Sequence, residues 1–114
     1  MAKPLKYKNT PCSVGAEKYR SKRERDRHQD LLLLQRAGKI TGLVREVAFV
    51  LAPKVKIEGE DRARPAMKYV ADYVYSDALT GRVVVADAKG LSTPMWRAKK
   101  HLMATVHGIH VVEL

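Results

Sequence analysis

The stretch RVVVADAKG at residues 82–90 decides the fold of this chain. Residues 83–86 are apolar at four consecutive positions, so a strand formed by them is apolar on both sides. Strands of this kind lie at the centre of a sheet that is covered on both faces. We therefore predict a buried central strand over 82–87, with Asp87 at its end and Lys89 two positions further on.

The sequence before this strand predicts one helix and two further strands. The helix is expected over 19–37, since Ser21 is a typical N-cap and Gly38 a typical C-terminal stop. A period of two runs through 40–51, and residues 67–75 are rich in Tyr and Val, as expected for strands. The connections are short enough for the three strands to form an antiparallel meander.

The sequence after the central strand predicts a second helix and a last strand. Thr93 is a typical N-cap, Pro94 suits the first helical position, and Gly108 lies just past the expected end of the helix. With a strand over 109–114, this part of the chain forms a βαβ crossover. The predicted fold class is α/β, in the form of an α+β mixed sheet within a single domain of order αβββαβ.

Composition and charge indicate the kind of partner. The 114 residues include 22 Lys plus Arg and 12 Asp plus Glu, a net charge of +10 with His neutral. Apolar runs such as residues 31–34 are far shorter than the roughly 20 residues of a membrane span. No apolar leader follows Met1, so we expect no secretory signal and a cytoplasmic location. The excess of positive charge favours a polyanionic partner, above all nucleic acid.

Basic residues are concentrated in two stretches and on the helices. Residues 1–18 contain four lysines and no apolar period, which predicts a flexible basic N-terminal arm before a domain over 19–114. Residues 54–66, KVKIEGEDRARPA, predict a charged connection. We expect contacts with a nucleic-acid backbone from Lys22, Arg23, Lys54, Lys56, Arg62, Arg64, Arg97, Lys99 and Lys100. The alternative is that these charges form a solvated surface.

Acids interrupt two of the predicted strands. Asp72 lies within the apolar run 70–74, and adjacent antiparallel strands can bring it beside Asp87. Clustered carboxylates repel each other, and a divalent cation removes that penalty. Oxygen ligands without His or Cys favour Mg²⁺ or Mn²⁺, with the Ala88 carbonyl as a further candidate ligand. Lys89 shares a face with Asp87 and would orient a water or stabilise charge on a phosphate.

The same acids also allow a structural interpretation. In it, Asp87 forms a turn at the strand end, Lys89 is solvated, and Asp72 forms a buried ion pair with an arginine. A D-x-K triplet alone does not decide between the two interpretations, because about one occurs by chance in a chain of this composition.

Glu24 is the next candidate. It shares a helical face with His28 and therefore points towards the core. It fits either an acid of the metal site or a capping box with Ser21. We expect His28 to be hydrogen-bonded and half-buried rather than catalytic. Glu46 is expected either near the site or in an ion pair with Arg45 or a nearby lysine.

Three segments in this order resemble the PD-(D/E)XK nuclease superfamily: YRSKRE at 19–24, YVAD at 69–72 and VADAKG at 85–90. More narrowly, the chain is similar to small phage-type nuclease-like proteins near the Holliday-junction-resolvase-like branch. The resemblance runs from about residue 15 to the C-terminus. It implies a restriction-endonuclease-like αβββαβ core.

The resemblance also implies roles for individual residues. The acids that match the motif, Asp72 and Asp87, would hold Mg²⁺, and Lys89 would assist hydrolysis. Glu24 matches a further site acid of the junction-resolvase-like branch. Ala71 stands where the nominal motif has proline, and Asp87 stands where many members have glutamate; neither change removes a ligand.

The resulting functional prediction is a metal-dependent endonuclease acting on DNA, with branched DNA in phage recombination or packaging as the narrower expectation. The alternative is a basic DNA-binding module that has a nuclease-like fold and no activity. A third option is an RNA-binding or ribosome-associated protein. Residues 31–34 are leucines that cover more of the helix than a small domain can bury, so we also expect a homodimer.

Overall fold

The computed structural model describes residues 12–14, 17–88 and 92–114. Its elements in chain order are β1 (Cys12–Val14), β2 (Glu17–Tyr19), α1 (Lys22–Arg36), β3 (Ile40–Ala52), β4 (Met67–Asp77), β5 (Val83–Asp87), α2 (Pro94–His107) and β6 (Val112–Glu113). From α1 onwards this is the predicted order αβββαβ. The mixed α+β class of a single small domain is thereby confirmed.

The main sheet has four strands in the order β3-β4-β5-β6. β3 and β5 both pair with β4 in antiparallel orientation, whereas β6 runs parallel to β5 after the crossover through α2. The predicted meander and βαβ unit are therefore confirmed. β6 is shorter than predicted, because the amide of Ile109 donates to the carbonyl of Met103 at the end of α2 instead of joining the sheet.

The helix ends follow the capping residues. The Ser21 hydroxyl accepts from the amide of Glu24 at 3.1 Å, and Gly38 follows α1 with a φ of 77° that favours glycine. Thr93 caps α2, and Gly108 ends it in the left-handed conformation. Neither of these helices has the length and apolarity needed to cross a membrane; this holds for the part of the chain that the structure describes.

Two apolar clusters form the core, and each helix packs on one of them. The α2 cluster consists of Leu51, Tyr69, Ala71, Val85, Trp96, Met103 and Val111. The α1 cluster consists of Leu31, Ile40, Tyr73, Ala86 and Ala88. Val85 and Ala86 are consecutive residues of β5 that enter different clusters. Since neighbouring strand residues point to opposite faces, β5 is buried on both sides, as predicted.

The two-stranded sheet of β1 and β2 lies within the stretch predicted to be a basic arm. Cys12 pairs with Tyr19, and Val14 pairs with Glu17. Arg45 of β3 donates to the carbonyl of Lys18 at 3.1 Å and to the Glu17 carboxylate at 2.7 Å. The arm prediction is therefore corrected for residues 12–14 and 17–18, because strand pairing and Arg45 fix them. The rest of the predicted arm lies outside the described residues.

Candidate active site

The register of β4 and β5 places Asp72 across from Asp87. The last paired residues of the ladder are Tyr73 and Ala86. Beyond this pair, carboxylate side chains connect the two strands by accepting hydrogen bonds from backbone amides. Asp87 Oδ1 accepts from the Asp72 amide at 3.3 Å, and Asp72 Oδ2 accepts from the Ala88 amide at 2.9 Å. The side chains of both acids are buried, with Asp87 only 1% exposed. The prediction that adjacent strands bring these two acids together is confirmed.

The environment of this pair disfavours two negative charges. Burial, followed by the hydrogen bond and the charge of Asp87, raises the pKa of Asp72 to about 7. Arg20 approaches Asp72 Oδ1 at 3.1 Å, but its side chain is 61% exposed, so water screens its charge. Asp87 Oδ2 accepts from the indole of Trp96 at 2.8 Å, a neutral donor. Among the described residues, the pair therefore has no buried cation, and it favours keeping a proton on one carboxylate.

The ion pair between Asp72 and Arg20 also matters for the structural interpretation, which expected a buried acid paired with an arginine. Both features are present at once. Asp72 lies beside a second carboxylate, and it contacts a guanidinium. The contacts alone are compatible with either interpretation. The high exposure of Arg20 favours the metal site, because an exposed arginine compensates a buried carboxylate only weakly.

Glu24 lies close by but is surrounded differently. Its side chain is buried, as predicted from its helical face. Arg45 contacts Glu24 Oε1 at 2.8 Å, and Arg20 contacts Oε2 at 3.7 Å. Arg45 is only 13% exposed, so its charge is weakly screened. Arg20 thus links Glu24 to Asp72, while the carboxylate of Glu24 is directed at arginines and forms no reciprocal capping bond to Ser21 among the described contacts.

His28 belongs to a structural network below Glu24. Its Nδ1 lies 2.6 Å from the Tyr19 hydroxyl, and its ring stacks on Tyr73 at an interplanar angle of 16°. The Tyr73 hydroxyl donates to the backbone carbonyl of Glu24. Burial, followed by the charge of Arg45, lowers the pKa of His28. The prediction of a hydrogen-bonded, non-catalytic histidine is consistent with this arrangement, although the side chain is fully buried rather than half-buried.

The hydroxyl of Tyr69 lies next to the acid pair, and the sequence analysis did not predict it as part of the site. Its side chain is buried beside Asp87 and Trp96. Within the described residues, its hydroxyl has no hydrogen-bond partner. Burial, followed by the charge of Asp87, raises the pKa of this hydroxyl, so it keeps its proton. A buried tyrosine hydroxyl normally finds a partner, so this atom is an exception that requires explanation.

These residues fit a hard cation in part. The described side chains include no group of three His, Cys, Asp or Glu arranged to hold a metal ion. Two buried carboxylates with incomplete compensation and an unpaired hydroxyl nearby nevertheless form an oxygen-rich site of the kind that Mg²⁺ prefers. Asp72 and Asp87 are the residues that would hold it. Glu24 is engaged by arginines, the described contacts of Ala88 involve its amide rather than its carbonyl, and Lys89 lies outside the described residues.

A basic groove of about 400 Å³ runs along α2 next to the acid pair. Trp96 connects the two, because its indole donates to Asp87 while its ring lines the groove. Arg97 is exposed and held by the Ser92 carbonyl and hydroxyl at 3.1 and 3.2 Å. Lys100 lies 5.1 Å from the Trp96 ring centroid. Lys100 also pairs at 3.6 Å with Glu113, an acid that lines the same groove. Arg97 and Lys100 can contact phosphates from these positions, and Lys99 lies half-buried on the same helix.

The other predicted nucleic-acid contacts are less concentrated. Lys22 and Arg23 are exposed at the start of α1, where Arg23 also donates to the carbonyl of Leu114 at 2.6 Å. The basic residues of the β3–β4 connection are all exposed: Lys54, Lys56, Arg62 and Arg64. Arg64 pairs with Glu60 at 2.8 Å, and two further acids lie in the same connection. Its net charge is therefore small, as is that of the groove along α2, where Glu113 offsets one of the two cations. The groove is the stronger candidate because it lies next to the acid pair.

The partners of the acids were the hardest part of the site to find from sequence. Arg20 lies inside the segment that carries the family resemblance, and its spacing of four from Glu24 was an available signal. Arg45 comes from β3 and pairs with Glu24 only through the tertiary fold. Glu46, in contrast, is exposed, has a φ of 55° and forms no ion pair with Arg45.

The fold and the site thus define a small mixed α/β protein with a carboxylate pair buried between two adjacent strands. A family model described as "Protein of unknown function (DUF1064)" matches residues 4–110, and the chain belongs to this family. No curated protein and no solved structure gives a significant match to the chain.

Proposed function

We propose that this protein is a metal-dependent endonuclease that hydrolyses DNA phosphodiester bonds. The observation that carries the proposal is the buried Asp72–Asp87 pair, in which full ionisation is disfavoured and which has no buried cationic partner among the described residues. A protein that only binds polyanions gains nothing from two acids held together, because they repel phosphate unless a cation lies between them. The resemblance to PD-(D/E)XK nucleases supports the same interpretation.

In this mechanism Asp72 and Asp87 would hold Mg²⁺ or Mn²⁺. When bound, such an ion stabilises charge on a phosphoryl oxygen and lowers the pKa of its water. The chain fixes its two carboxylates in advance: the Ala88 amide orients Asp72, and the Trp96 indole orients Asp87. We propose that Lys89 assists the attacking water and that Glu24 acts through Arg20 rather than as a direct ligand.

The proposed substrate is DNA because the chain carries a net charge of +10 and because cations line the groove next to Asp87. Contacts from Arg97 and Lys100 would go to backbone phosphates, which position a duplex without reading its sequence. Branched DNA in phage recombination or packaging is the narrower proposal. It places the protein in the cytoplasm of a bacterium or an infected host cell.

The test is a cleavage assay on linear duplex, single-stranded, flap and four-way-junction DNA, each with Mg²⁺, Mn²⁺ or EDTA. We expect Asp87→Asn to reduce metal-dependent cleavage at least about 100-fold, since a bound cation contributes several kcal/mol to the transition state. Asp26→Asn is the matched control, because Asp26 is an exposed acid on α1. Cleavage that survives in Asp87→Asn would contradict the proposal.

One observation favours a second candidate, a DNA-binding module without activity. Each of the four carboxylate oxygens of the pair already has a polar partner: Arg20, Trp96 and the amides of Asp72 and Ala88. If the protein is such a module, it binds the DNAs of the cleavage assay but cuts none of them with any metal, and Asp87→Asn binds them as the wild type does. The cleavage assay with its binding control therefore separates the two candidates.

We further propose that the protein is a homodimer that uses α1. Leu33 and Leu34 are exposed on this helix, whereas Leu31 is buried. Leu34 borders a cavity of about 350 Å³ together with Tyr75 and Leu114. A second copy would cover this apolar surface. Sedimentation of the wild type and of Leu34→Glu tests this: we expect a dimer that becomes a monomer, and a monomeric wild type would contradict it.

A further inference from the structure

The hydroxyl of Tyr69 is one of three buried side-chain polar atoms that have no hydrogen-bond partner among the described residues, and it lies beside the acid pair. Tyr69 is 3% exposed and lies on β4, three residues before Asp72. Its hydroxyl is buried without a hydrogen-bond partner among the described residues. Leaving a buried donor unpaired costs stability, so proteins rarely keep one without a reason.

The nearest acceptor for this hydroxyl is the carboxylate of Asp87. Asp87 is close enough to raise the pKa of the hydroxyl, but the geometry between the two groups is not that of a hydrogen bond, and the Asp87 oxygens accept from the Asp72 amide and the Trp96 indole. Tyr73, four residues along the same strand, is also buried but donates to the carbonyl of Glu24. Among the described residues, the fold therefore pairs the hydroxyl of Tyr73 and leaves that of Tyr69, beside the acid pair, without a hydrogen-bond partner.

We propose that the Tyr69 hydroxyl donates a hydrogen bond to an oxygen atom of the group that binds at the Asp72–Asp87 pair. This inference rests on the proposed function. The acceptor chemistry is an oxygen with partial negative charge, either a water of a hydrated divalent cation or a phosphodiester oxygen. Tyr69 acts as a donor and not as a base, because burial keeps its proton in place.

The test compares Tyr69→Phe with Tyr73→Phe, two identical changes four positions apart. In EDTA, Tyr69→Phe removes an unpaired group, so we expect its Tm to equal or exceed that of the wild type. Tyr73→Phe removes a hydrogen bond, so its Tm should fall. A fall in Tm for Tyr69→Phe comparable to that of Tyr73→Phe would overturn the proposal, since it would reveal an internal partner.

Binding is followed through Trp96, the only tryptophan of the chain, which contacts Asp87. Its fluorescence is titrated with Mg²⁺ alone and with Mn²⁺ alone. If the acceptor is a water of the cation, we expect Tyr69→Phe to bind the ion about fivefold to tenfold more weakly, the typical effect of one hydrogen bond. If the acceptor is a phosphodiester oxygen, ion binding is unchanged and cleavage of DNA falls by a similar factor.

The outcomes separate this inference from the proposed function. Tyr69→Phe that matches the wild type in both ion binding and cleavage overturns the inference and leaves the nuclease proposal intact. Weaker ion binding in Tyr69→Phe, in a protein that cuts no DNA, supports the inference while the nuclease proposal fails. A wild type that neither binds the ions nor cuts DNA overturns both.

Discussion

Glu24 and the Asp72–Asp87 pair are buried acids that contact the same arginine, yet their charges are balanced in different ways. Glu24 also contacts Arg45, a cation only 13% exposed. Among the residues that the structure describes, the aspartate pair has two carboxylates and the exposed Arg20 as its one cationic partner. A buried acid that is paired with a buried cation is already neutralised within the fold. An acid pair without such a partner is stabilised when an external cation binds to it.

This difference assigns different roles to residues that the sequence analysis grouped together. Asp72 and Asp87 were predicted as metal ligands from their place on adjacent strands and from the resemblance, and Glu24 was added to the site mainly on the basis of the resemblance. The contacts of Glu24 favour a role in holding Arg20 and α1 in place. The contacts of Asp72 and Asp87 favour the ligand role, because burial raises the pKa of Asp72 and a cation would relieve the cost.

The largest effect on stability is expected from Arg45→Met. This change leaves Glu24 buried beside a single, mostly exposed arginine, and breaking a buried ion pair from one side typically costs about 3–5 kcal/mol. Urea denaturation at neutral pH in EDTA gives the free energy of unfolding. A loss below 1 kcal/mol, on the order of that of an exposed ion pair, would break the contrast between the two sites.

The next effect concerns pH. Because the folded-state pKa of Asp72 lies near 7, above its ordinary value, the folded protein keeps a proton that the unfolded chain has already lost. The free energy of unfolding in EDTA should therefore fall as pH rises from about 4 to about 7, by at most about 1.4 kcal/mol per unit. Asp72→Asn should flatten this part of the curve, and an unchanged slope in that variant would count against the raised pKa.

A smaller effect distinguishes Tyr69 from Tyr73 on β4. Tyr73→Phe removes the hydrogen bond to the carbonyl of Glu24, at a cost of about 0.5–1.5 kcal/mol. Tyr69→Phe should be neutral or slightly stabilising in the absence of metal. Denaturation of both variants under identical conditions measures the difference directly. Equal losses would mean that the two hydroxyls are equally well paired.

The smallest effect is expected from Arg20→Met. Its side chain is mostly exposed, so its ion pairs with Glu24 and Asp72 should contribute no more than about 1 kcal/mol. The comparison with Arg45→Met uses the same substitution at both arginines. If Arg20→Met were the more destabilising variant, Arg20 and not Arg45 would be the main cationic partner of Glu24. The proposed difference between Glu24 and the aspartate pair would then be wrong.

Local patterns in the sequence were enough to predict most of the fold. The apolar run in β5, the caps Ser21 and Thr93, and the glycines after both helices each act over a few residues. Strand order predicted that Asp72 and Asp87 can lie side by side, and the register that places them opposite each other is a finding of the structure. This much of the site could be predicted because antiparallel strands with short connections have few ways to pair.

The remaining features depend on contacts between distant segments. The pairing of β1 with β2 is stabilised by Arg45, which lies more than twenty residues further along the chain. The ion pair of Glu24 with Arg45 likewise joins α1 to β3. The position of the Tyr69 hydroxyl beside Asp87, without a hydrogen bond to it, depends on how β4 packs with β5 and α2. Periodicity and spacing carry no information about such choices, which three-dimensional packing decides.

The most direct test of the account is the effect of Mg²⁺ on thermal unfolding of the wild type, Asp87→Asn and Glu24→Gln. An ion that binds only the folded protein stabilises it by about 2.7 kcal/mol at a hundredfold excess over Kd. We predict that Mg²⁺ raises the Tm of the wild type, leaves Asp87→Asn unchanged and still raises the Tm of Glu24→Gln. The same increase in Asp87→Asn as in the wild type, or no increase in any of the three proteins, would contradict the claim that the aspartate pair binds a cation.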